Sequence, residues 1–230
     1  MQIVGVCGRK GGSGKTTTAV HLAAEMTSRG LPTVLIDCDT QGSAKHWSAP
    51  GLLPMKVHPH PLEFKGGETD KQKSEIIREW SATIRSISVE FLILDSPPHL
   101  DAALGGVIGL SDLAVIPCGP SGLDLIATAE TVSLVREIRA ATGEEKPRIT
   151  LVPNRVDQRT ASGRQLETAL ADLGEDISPA VHDRTVLADS FNLGAWVGAY
   201  APDSPAHVEI QQLTTHILSL LGRKSRKRRA

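Results

Sequence analysis

The sequence is poor in cysteine, and its three cysteines are far apart. Cys7, Cys38 and Cys118 are odd in number, and each comes at the end of an apolar run. This spacing argues against a disulfide framework and against a CxxC metal or redox site. We therefore expect three small buried side chains in a reducing compartment.

Long hydrophobic runs are also missing from the sequence. No apolar stretch approaches the ~18 residues that a membrane span needs, and no basic-then-apolar leader opens the chain. His58 and His60 alternate with proline, but no third metal ligand lies nearby in the sequence, so we interpret them as loop residues. We expect a soluble, cytoplasmic protein that does not associate with membranes.

Charge is distributed unevenly between the body of the chain and its end. The whole chain has a net charge of −1, but six of its last eight residues, RKSRKRRA, are basic, so the rest of the chain has a net charge of −7. A run of like charges repels itself and makes non-specific contacts with polyanions. We predict one folded domain over residues 1–222 and a disordered basic tail over residues 223–230.

The hydrophobic pattern predicts an α/β fold. Five short runs are continuously apolar, as strands of a parallel sheet covered on both faces must be. Stretches with helical spacing separate most of them and suit crossover helices. We predict a doubly wound, mostly parallel sheet with helices on both faces and with its ligand at the carboxyl ends of the strands. The strands are predicted at 3–7, 33–37, 91–95, 113–118 and 149–154, the helices at 16–29, 71–85, 123–141 and 162–173, and a loop with a short edge strand near Val57 at 49–67.

A glycine-rich turn, GRKGGSGKTT over residues 8–17, follows the first predicted strand and opens the first predicted helix. Glycine permits positive φ values, so the N–H groups of such a turn can converge on an anion at a helix N-terminus. Lys15 would then contact the β- and γ-phosphates, and the Thr16 hydroxyl would coordinate Mg²⁺. The usual pattern GxxxxGK[ST] needs glycine at position 9, where this chain has arginine. The predicted nucleotide-binding residues of the turn are Lys10, Gly11, Gly12, Ser13, Gly14, Lys15, Thr16 and Thr17.

The stretch KGGSGKT resembles the deviant Walker A motif of the ParA/MinD family of ATPases. The resemblance implies a P-loop NTPase fold, ATP and Mg²⁺ as cofactors, and a homodimer in the ATP-bound state. The additional lysine, Lys10 here, resembles the family's signature lysine, which reaches the nucleotide of the other subunit and so has a catalytic role beside Lys15. Gly8 departs from the polar residue that many relatives have at that position.

Two acidic segments fit the same resemblance. The run DCDTQG is similar to the family's D-x-D-P-Q-G segment, which implies that Asp39 orients the attacking water and that Asp37 supports the Mg²⁺ shell; Thr40 replaces the usual proline. Taken alone, such an aspartate pair can also be a helix cap or a turn. Asp95 ends an apolar strand, which is the Walker B position for Mg²⁺, and the two prolines after Ser96 favour a switch loop.

The later part of the chain carries weaker similarities. Asn154 matches the asparagine that the family uses on the adenine ring, although it can also be a turn residue that ends a strand. The stretch PCGPSGLD over 117–124 resembles a proline-containing loop near the nucleotide and the dimer interface.

The resemblance also implies a mechanism and partners. No catalytic glutamine or arginine finger is evident in these motifs, and such a group contributes on the order of 10³–10⁵ in rate. We therefore expect slow hydrolysis that a ParB-like or other cargo adaptor protein stimulates. ATP-dependent dimers of the family bind nucleoid DNA without sequence preference. The basic tail, with Arg164 and Arg184, would supply that surface here. A plasmid is the expected cargo, and a chemoreceptor cluster or a carboxysome-like compartment would use the same mechanism.

Three alternatives have different sequence signatures. A membrane-associated ATPase of the MinD type would use an amphipathic C-terminal helix, and apolar residues do recur at helical spacing there, but without Trp or Phe, so we expect that stripe to pack on the sheet. Amide-forming synthetases and nitrogenase-type reductases share the architecture, although three solitary cysteines do not suit a cluster. A first strand at Ile3 leaves no room for an N-terminal helix-turn-helix, which favours the small plasmid-partition type. The stripe comprises Ile210, Leu213, Ile217, Leu220 and Leu221.

Overall fold

A computed structural model describes residues 1–98 and 102–222. The strands are β1 (Gln2–Val6), β2 (Thr33–Asp37), β3 (Lys56–Pro59), β4 (Phe91–Asp95), β5 (Leu113–Cys118), β6 (Arg148–Val156), β7 (Asp176–Ile177) and β8 (Val181–His182). The helices are α1 (Lys15–Ser28), α2 (Ser43–Ser48), α3 (Asp70–Arg85), α4 (Ala102–Leu110), α5 (Gly122–Thr142), α6 (Ala161–Ala171), α7 (Thr185–Asn192), α8 (Val197–Tyr200) and α9 (Pro205–Leu220).

The strands form one sheet in the order β3-β2-β4-β1-β5-β6-β7, and β8 also pairs with β6. Every recorded pair of strands is parallel. The chain leaves the central strand β1 on one side to reach β2, and later returns to pair β5 on the other side of β1. The predicted doubly wound fold is confirmed, and the place where the winding reverses is the carboxyl end of β1.

Side chains of the inner strands alternate between two cores, one on each face of the sheet. In β4, Phe91 and Ile93 belong to one core and Leu92 and Leu94 to the other, and all four are fully buried. Helices α1, α2 and α9 cover the first face, and helices α3, α4, α5 and α6 cover the second. Burial on both faces explains why these strands are continuously apolar in the sequence.

Helix α4 was not predicted, because three of its nine residues are glycines. Glycine inside a helix costs about 1 kcal/mol relative to alanine, so a glycine-rich stretch is a poor helix candidate. The structure shows what one of these glycines allows. A Cβ atom on Gly106 would lie 2.7 Å from the Cδ2 atom of Leu62, so the loop after β3 packs directly on the helix backbone.

The C-terminal helix α9 buries its apolar stripe, as predicted. Ile210, Leu213 and Ile217 are at most 2% exposed and pack in the same core as α1. No helix within residues 1–98 and 102–222 is both long and apolar enough to cross a membrane. The predicted basic tail, residues 223–230, lies outside the described residues.

The three cysteines are buried and unpaired, as the spacing predicted. Burial raises the pKa of the Cys7 thiol to about 12 and that of the Cys118 thiol to about 11. These groups therefore stay protonated and unreactive at neutral pH.

Candidate nucleotide-binding site

The glycine-rich turn leads from β1 directly into α1. Gly12 and Gly14 have φ values of 74° and 95°, in the left-handed region that glycine adopts without strain. Gly14 is the N-cap of α1, and neither a side-chain cap nor an acidic residue occupies the first turn. The N–H groups at the start of α1 are therefore available to an anion, which the helix dipole also favours.

Lys15 is the first residue of α1, and its side chain folds back over the turn. Only 7% of it is exposed, and its Nζ atom donates a hydrogen bond of 3.0 Å to the Lys10 carbonyl. Burial lowers the pKa of Lys15, whereas the charges of Asp95 and Asp39 act in the opposite direction. The ammonium group is thus a partly desolvated cation close to Asp39, a predicted catalytic residue, and Asp95, a predicted Mg²⁺ ligand.

Asp95, at the end of β4, is a fully buried carboxyl group without a hydrogen-bond partner on either oxygen. Burial raises its pKa to about 7. The Thr16 hydroxyl and the Lys15 ammonium oppose this rise, although Thr16 does not meet the geometry of a hydrogen bond with it. An unpaired buried carboxyl group is costly, and a bound cation would remove the cost.

Asp37 lies directly beside Asp95 but has a different environment. The two are register partners on neighbouring parallel strands, and both are fully buried. The Asp37 carboxylate accepts hydrogen bonds from the backbone N–H groups of Lys45, at 2.8 Å, and Asp39, at 3.3 Å. Burial raises the pKa of Asp37, while these bonds lower it in part. Asp37 therefore supports the first turn of α2, and its role in the Mg²⁺ shell stays a prediction.

Asp39 is half-buried at the mouth of the same edge. Its Oδ1 atom accepts a hydrogen bond of 3.0 Å from the N–H of Gln41 and so shapes the turn before α2. Its charge reaches the Lys15 ammonium. The structure brings Asp39, Asp95 and Lys15 to one place, and the prediction that Asp39 orients a water remains open.

Magnesium fits this edge of the sheet. Mg²⁺ binds through one or two carboxylates together with phosphate oxygens and water, so a protein need not supply a full cage. In residues 1–98 and 102–222 no three His, Cys, Asp or Glu side chains form a metal cluster. The unpaired Asp95 carboxyl group beside Thr16 meets the smaller requirement, and the buried, unpartnered Ser13 hydroxyl lies on the adjacent turn.

The second lysine of the turn lies apart from this centre. Lys10 Nζ donates to the Asp124 carboxylate at 2.7 Å and to the Ser121 hydroxyl at 3.4 Å, both at the start of α5. The Lys10 side chain is 36% exposed, whereas the Asp124 side chain is 4% exposed. Burial would raise the pKa of Asp124, but hydrogen bonds from Lys10 and Ser121 hold it below its usual range.

The profile of the CobQ/CobB/MinD/ParA nucleotide binding domain matches residues 4–194, which is most of the chain. The chain belongs to the ParA/MinD family of ATPases. The match includes the glycine-rich turn, all three aspartates of the site and Asn154.

Several relatives in this ATPase family cover most of the chain. The maintenance of carboxysome distribution protein A of Halothiobacillus neapolitanus is 28% identical over 227 residues, or 93% of this chain and 94% of that protein. Protein ParA of Rhizobium radiobacter is 28% identical over 200 residues, or 84% of each chain. The structure of an ATP complex of a Cyanothece McdA variant matches 98% of both chains with a TM-score of 0.80 and 17% identity, which supports the fold.

Two contacts of this ParA/MinD-family site were not predicted. The S-x-x-D pattern of Ser121 and Asp124 is that of an ordinary helix cap, which the pair forms, so it gives no signal for the contact with Lys10. The second contact joins the Arg155 guanidinium to the glycine-rich turn, and no motif in the sequence marks it. Asn154 donates to the Ser13 carbonyl at 2.7 Å, and its predicted contact with adenine stays a prediction.

Proposed function

We propose that this protein is an ATP hydrolase that dimerises around ATP and Mg²⁺, binds nucleoid DNA without sequence preference and positions a cargo in the cytoplasm. A ParB-like or other adaptor on the cargo stimulates its slow hydrolysis and releases it from DNA. In this proposal residues 1–222 form one ATPase domain, and residues 223–230 are a basic tail.

The observation that carries the proposal is the separation of the two lysines of the turn. Lys15 is buried and lies within the electrostatic reach of Asp95 and Asp39, where a γ-phosphate would be bound. Lys10 lies at the rim, more than one third exposed, and is held by Asp124. One cation serves the subunit's own site, and the other is placed to serve a neighbouring subunit.

The residues have separate tasks in hydrolysis. The N–H groups of Gly11 to Thr17 and the Lys15 ammonium hold the phosphates, and their fixed charges stabilise the transferring phosphoryl group. Thr16 and Asp95 would hold Mg²⁺, which supplies charge neutralisation at the phosphates. Asp39 holds the attacking water in line, and Asp37 keeps the Asp39 turn in place through their hydrogen bond.

The cargo is proposed from the relatives' names and from the partner-dependent mechanism. One relative is named for carboxysome distribution and another is a ParA protein. Because intrinsic hydrolysis is slow, the lifetime of the dimer sets the time of its release from DNA, whatever the cargo. A plasmid or a protein compartment would use the same cycle with a different adaptor.

The DNA-binding surface is proposed to lie mainly in the basic tail. The two other arginines considered from the sequence already have protein partners: Arg184 donates to Glu209 at 2.6 Å, and Arg164 donates to the carbonyls of Gln158 and Arg159. Glu209 neutralises the charge of Arg184, so Arg184 contributes less to a phosphate-binding surface.

The dimer is tested by light scattering of the full chain with Mg²⁺ and a non-hydrolysable ATP analogue. The wild-type protein is expected as a dimer with the analogue and a monomer with ADP. Lys10→Ala should bind the analogue as a monomer and lose DNA retention. Lys146→Ala, a control cation paired with Asp112 at the opposite edge of the sheet, should behave as the wild type. A wild-type protein that stays monomeric with the analogue disproves the proposal.

The tail is tested separately by removing residues 223–230. The shortened protein should still dimerise with the analogue but should need much lower salt to be retained on DNA, because binding through Z phosphate contacts falls with salt with a slope of about −0.9Z. Unchanged retention at every salt concentration would assign DNA binding to the folded body.

A further inference from the structure

The glycine-rich turn is held by the strand that ends beside it. Asn154 and Arg155 are consecutive residues near the end of β6 and lie more than 130 residues from the turn in sequence. The Asn154 amide donates to the Ser13 carbonyl at 2.7 Å, and the Arg155 guanidinium donates to the Gly12 carbonyl at 2.9 Å. Two neighbouring side chains thus hold two neighbouring carbonyls of the turn.

Holding a carbonyl fixes the direction of the next N–H group. The peptide unit is planar and trans, so the C=O of one residue and the N–H of the next point in opposite directions. Holding the Gly12 carbonyl turns the Ser13 N–H away from β6, and holding the Ser13 carbonyl does the same for the Gly14 N–H. These are N–H groups that a phosphate-binding turn must direct at its anion.

The backbone at Arg155 is strained. Its φ value is 53°, and within residues 1–98 and 102–222 it is the only residue other than glycine with a positive φ. The left-handed conformation costs free energy in a residue with a Cβ atom, so an arginine there needs a compensating contact. The left-handed turn places the exposed Arg155 side chain over the Gly12 carbonyl, and the neighbouring Asn154 stays buried.

The turn and the strand also fit closely at Gly14. A Cβ atom added to Gly14 would collide with the Asn154 amide nitrogen. The glycine is therefore needed for its left-handed φ and for the approach of β6.

We propose that Arg155 is a positioning residue for phosphate binding: with Asn154, it holds the glycine-rich turn with its N–H groups directed at the anion before the nucleotide arrives. The inference rests on the proposed nucleotide-binding function and adds a residue that acts through the turn, without contact to the nucleotide. Because the left-handed strain at residue 155 and the Arg155 hydrogen bond act in opposite directions, removing both should change global stability little. The effect of Arg155 should appear in ligand affinity.

The test measures binding of ADP and of inorganic tripolyphosphate to the full chain by calorimetry, together with the melting temperature. The main variant is Arg155→Asn, because asparagine tolerates the left-handed conformation and lacks the guanidinium. It should bind both ligands about 10-fold more weakly, the order expected for one charge-assisted hydrogen bond, without a lower melting temperature. Equal losses for the two ligands identify an effect on the phosphate turn, since tripolyphosphate has no adenine.

Two further variants make the result specific. Arg155→Lys keeps one donor and should recover part of the affinity. Arg159→Ala removes a nearby exposed arginine that pairs with Asp157 and should bind as the wild type. Wild-type affinity of Arg155→Asn for tripolyphosphate would overturn the inference, as would a loss for ADP alone or a fall in melting temperature that accounts for the weaker binding. A wild-type protein that binds no nucleotide would instead refute the proposed function.

Discussion

Two aspartates at opposite edges of the sheet differ in burial and in hydrogen bonding. At the carboxyl edge, Asp95 is fully buried and neither of its oxygens has a partner. At the amino edge, Asp112 just before β5 accepts a hydrogen bond of 2.9 Å from the Ile3 N–H and one of 2.7 Å from the Lys146 ammonium. Asp112 joins β1 to the segment before β6, whereas Asp95 makes no such connection.

The difference indicates which edge is shaped for a ligand. Of the five buried side-chain atoms without a partner among the described residues, three are at the carboxyl edge: the Ser13 hydroxyl and both Asp95 oxygens. The same edge holds the Lys15 cation, whose pKa is lowered by burial. These are the groups that a nucleotide with its cation would satisfy.

The largest expected difference is between Lys15 at the carboxyl edge and Lys146 at the amino edge. Lys15→Ala should weaken ATP binding and turnover by about 10³-fold, because it removes a preorganised charge at the phosphates. Lys146→Ala removes a cation from the amino edge and should leave both within about twofold, since an exposed ion pair contributes little. Fluorescent-nucleotide titration and phosphate release measure the two effects. Comparable losses of ATP binding and turnover in the two variants would show that the two edges do not differ in function.

The next prediction is a stability gain from removing the Asp95 charge. In the metal-free protein at pH 7.5, Asp95→Asn should raise the free energy of unfolding by about 2–4 kcal/mol, since the ionised group is buried without a partner. The same variant should hydrolyse ATP far more slowly. Urea unfolding of both proteins gives the stability difference, and a destabilised Asp95→Asn protein would show that the charge is satisfied.

The gain should depend on pH in a defined window. The pKa of Asp95 is about 7 when folded and about 3.8 when unfolded, so the folded state holds its proton over that interval and the unfolded state does not. The wild-type protein therefore loses stability relative to Asp95→Asn as pH rises from about 4 to 7, and the difference is constant above that. Unfolding of both proteins at several pH values checks this. A difference that does not vary between pH 4 and 7 would contradict the raised pKa.

At the amino edge, replacing aspartate by asparagine should lower the free energy of unfolding instead of raising it. Asp112→Asn loses its ion pair with Lys146 and keeps at most one acceptor for the Ile3 N–H, so it should lower the free energy of unfolding by about 1 kcal/mol. ATP turnover should not change. The same urea titration measures the effect, and a stability gain would mean that the two aspartates do not differ as described.

The smallest predicted effect concerns the Lys10 contact. Asp124→Asn keeps the α5 cap but removes the charge that holds Lys10. The dimer should therefore form at an ATP concentration about 2- to 5-fold lower, because an ion pair with a partly exposed lysine contributes up to about 1 kcal/mol. Light scattering across an ATP titration measures the midpoint. Ser133→Ala, whose hydroxyl contacts Glu137 further along α5, is a matched control. A midpoint unchanged from the wild type would show that Asp124 does not restrain Lys10.

Some features of the fold could be predicted to the residue, and others had no local signal. The strands at 33–37, 91–95 and 113–118 have the expected bounds, because interior parallel strands are continuously apolar and end at charged or turn residues. The phosphate turn was predicted because its glycines, lysine and threonine are contiguous. The contact between Lys10 and Asp124 joins residues 114 positions apart, and the left-handed backbone of Arg155 is not encoded by its residue type. Such features depend on how the strands are brought together.

Asp124 also has a consequence for dissociation of the proposed dimer. In the proposed dimer, Lys10 would leave Asp124 to meet a neighbour's nucleotide. Asp124 would then keep the Ser121 contacts but lose its only cationic partner among the described residues while remaining almost fully enclosed. Each proposed dimer would contain two such carboxylates, and each would regain its counter-ion when the subunits separate. This cost would oppose assembly throughout the lifetime of the dimer and so favour separation once the γ-phosphate is lost.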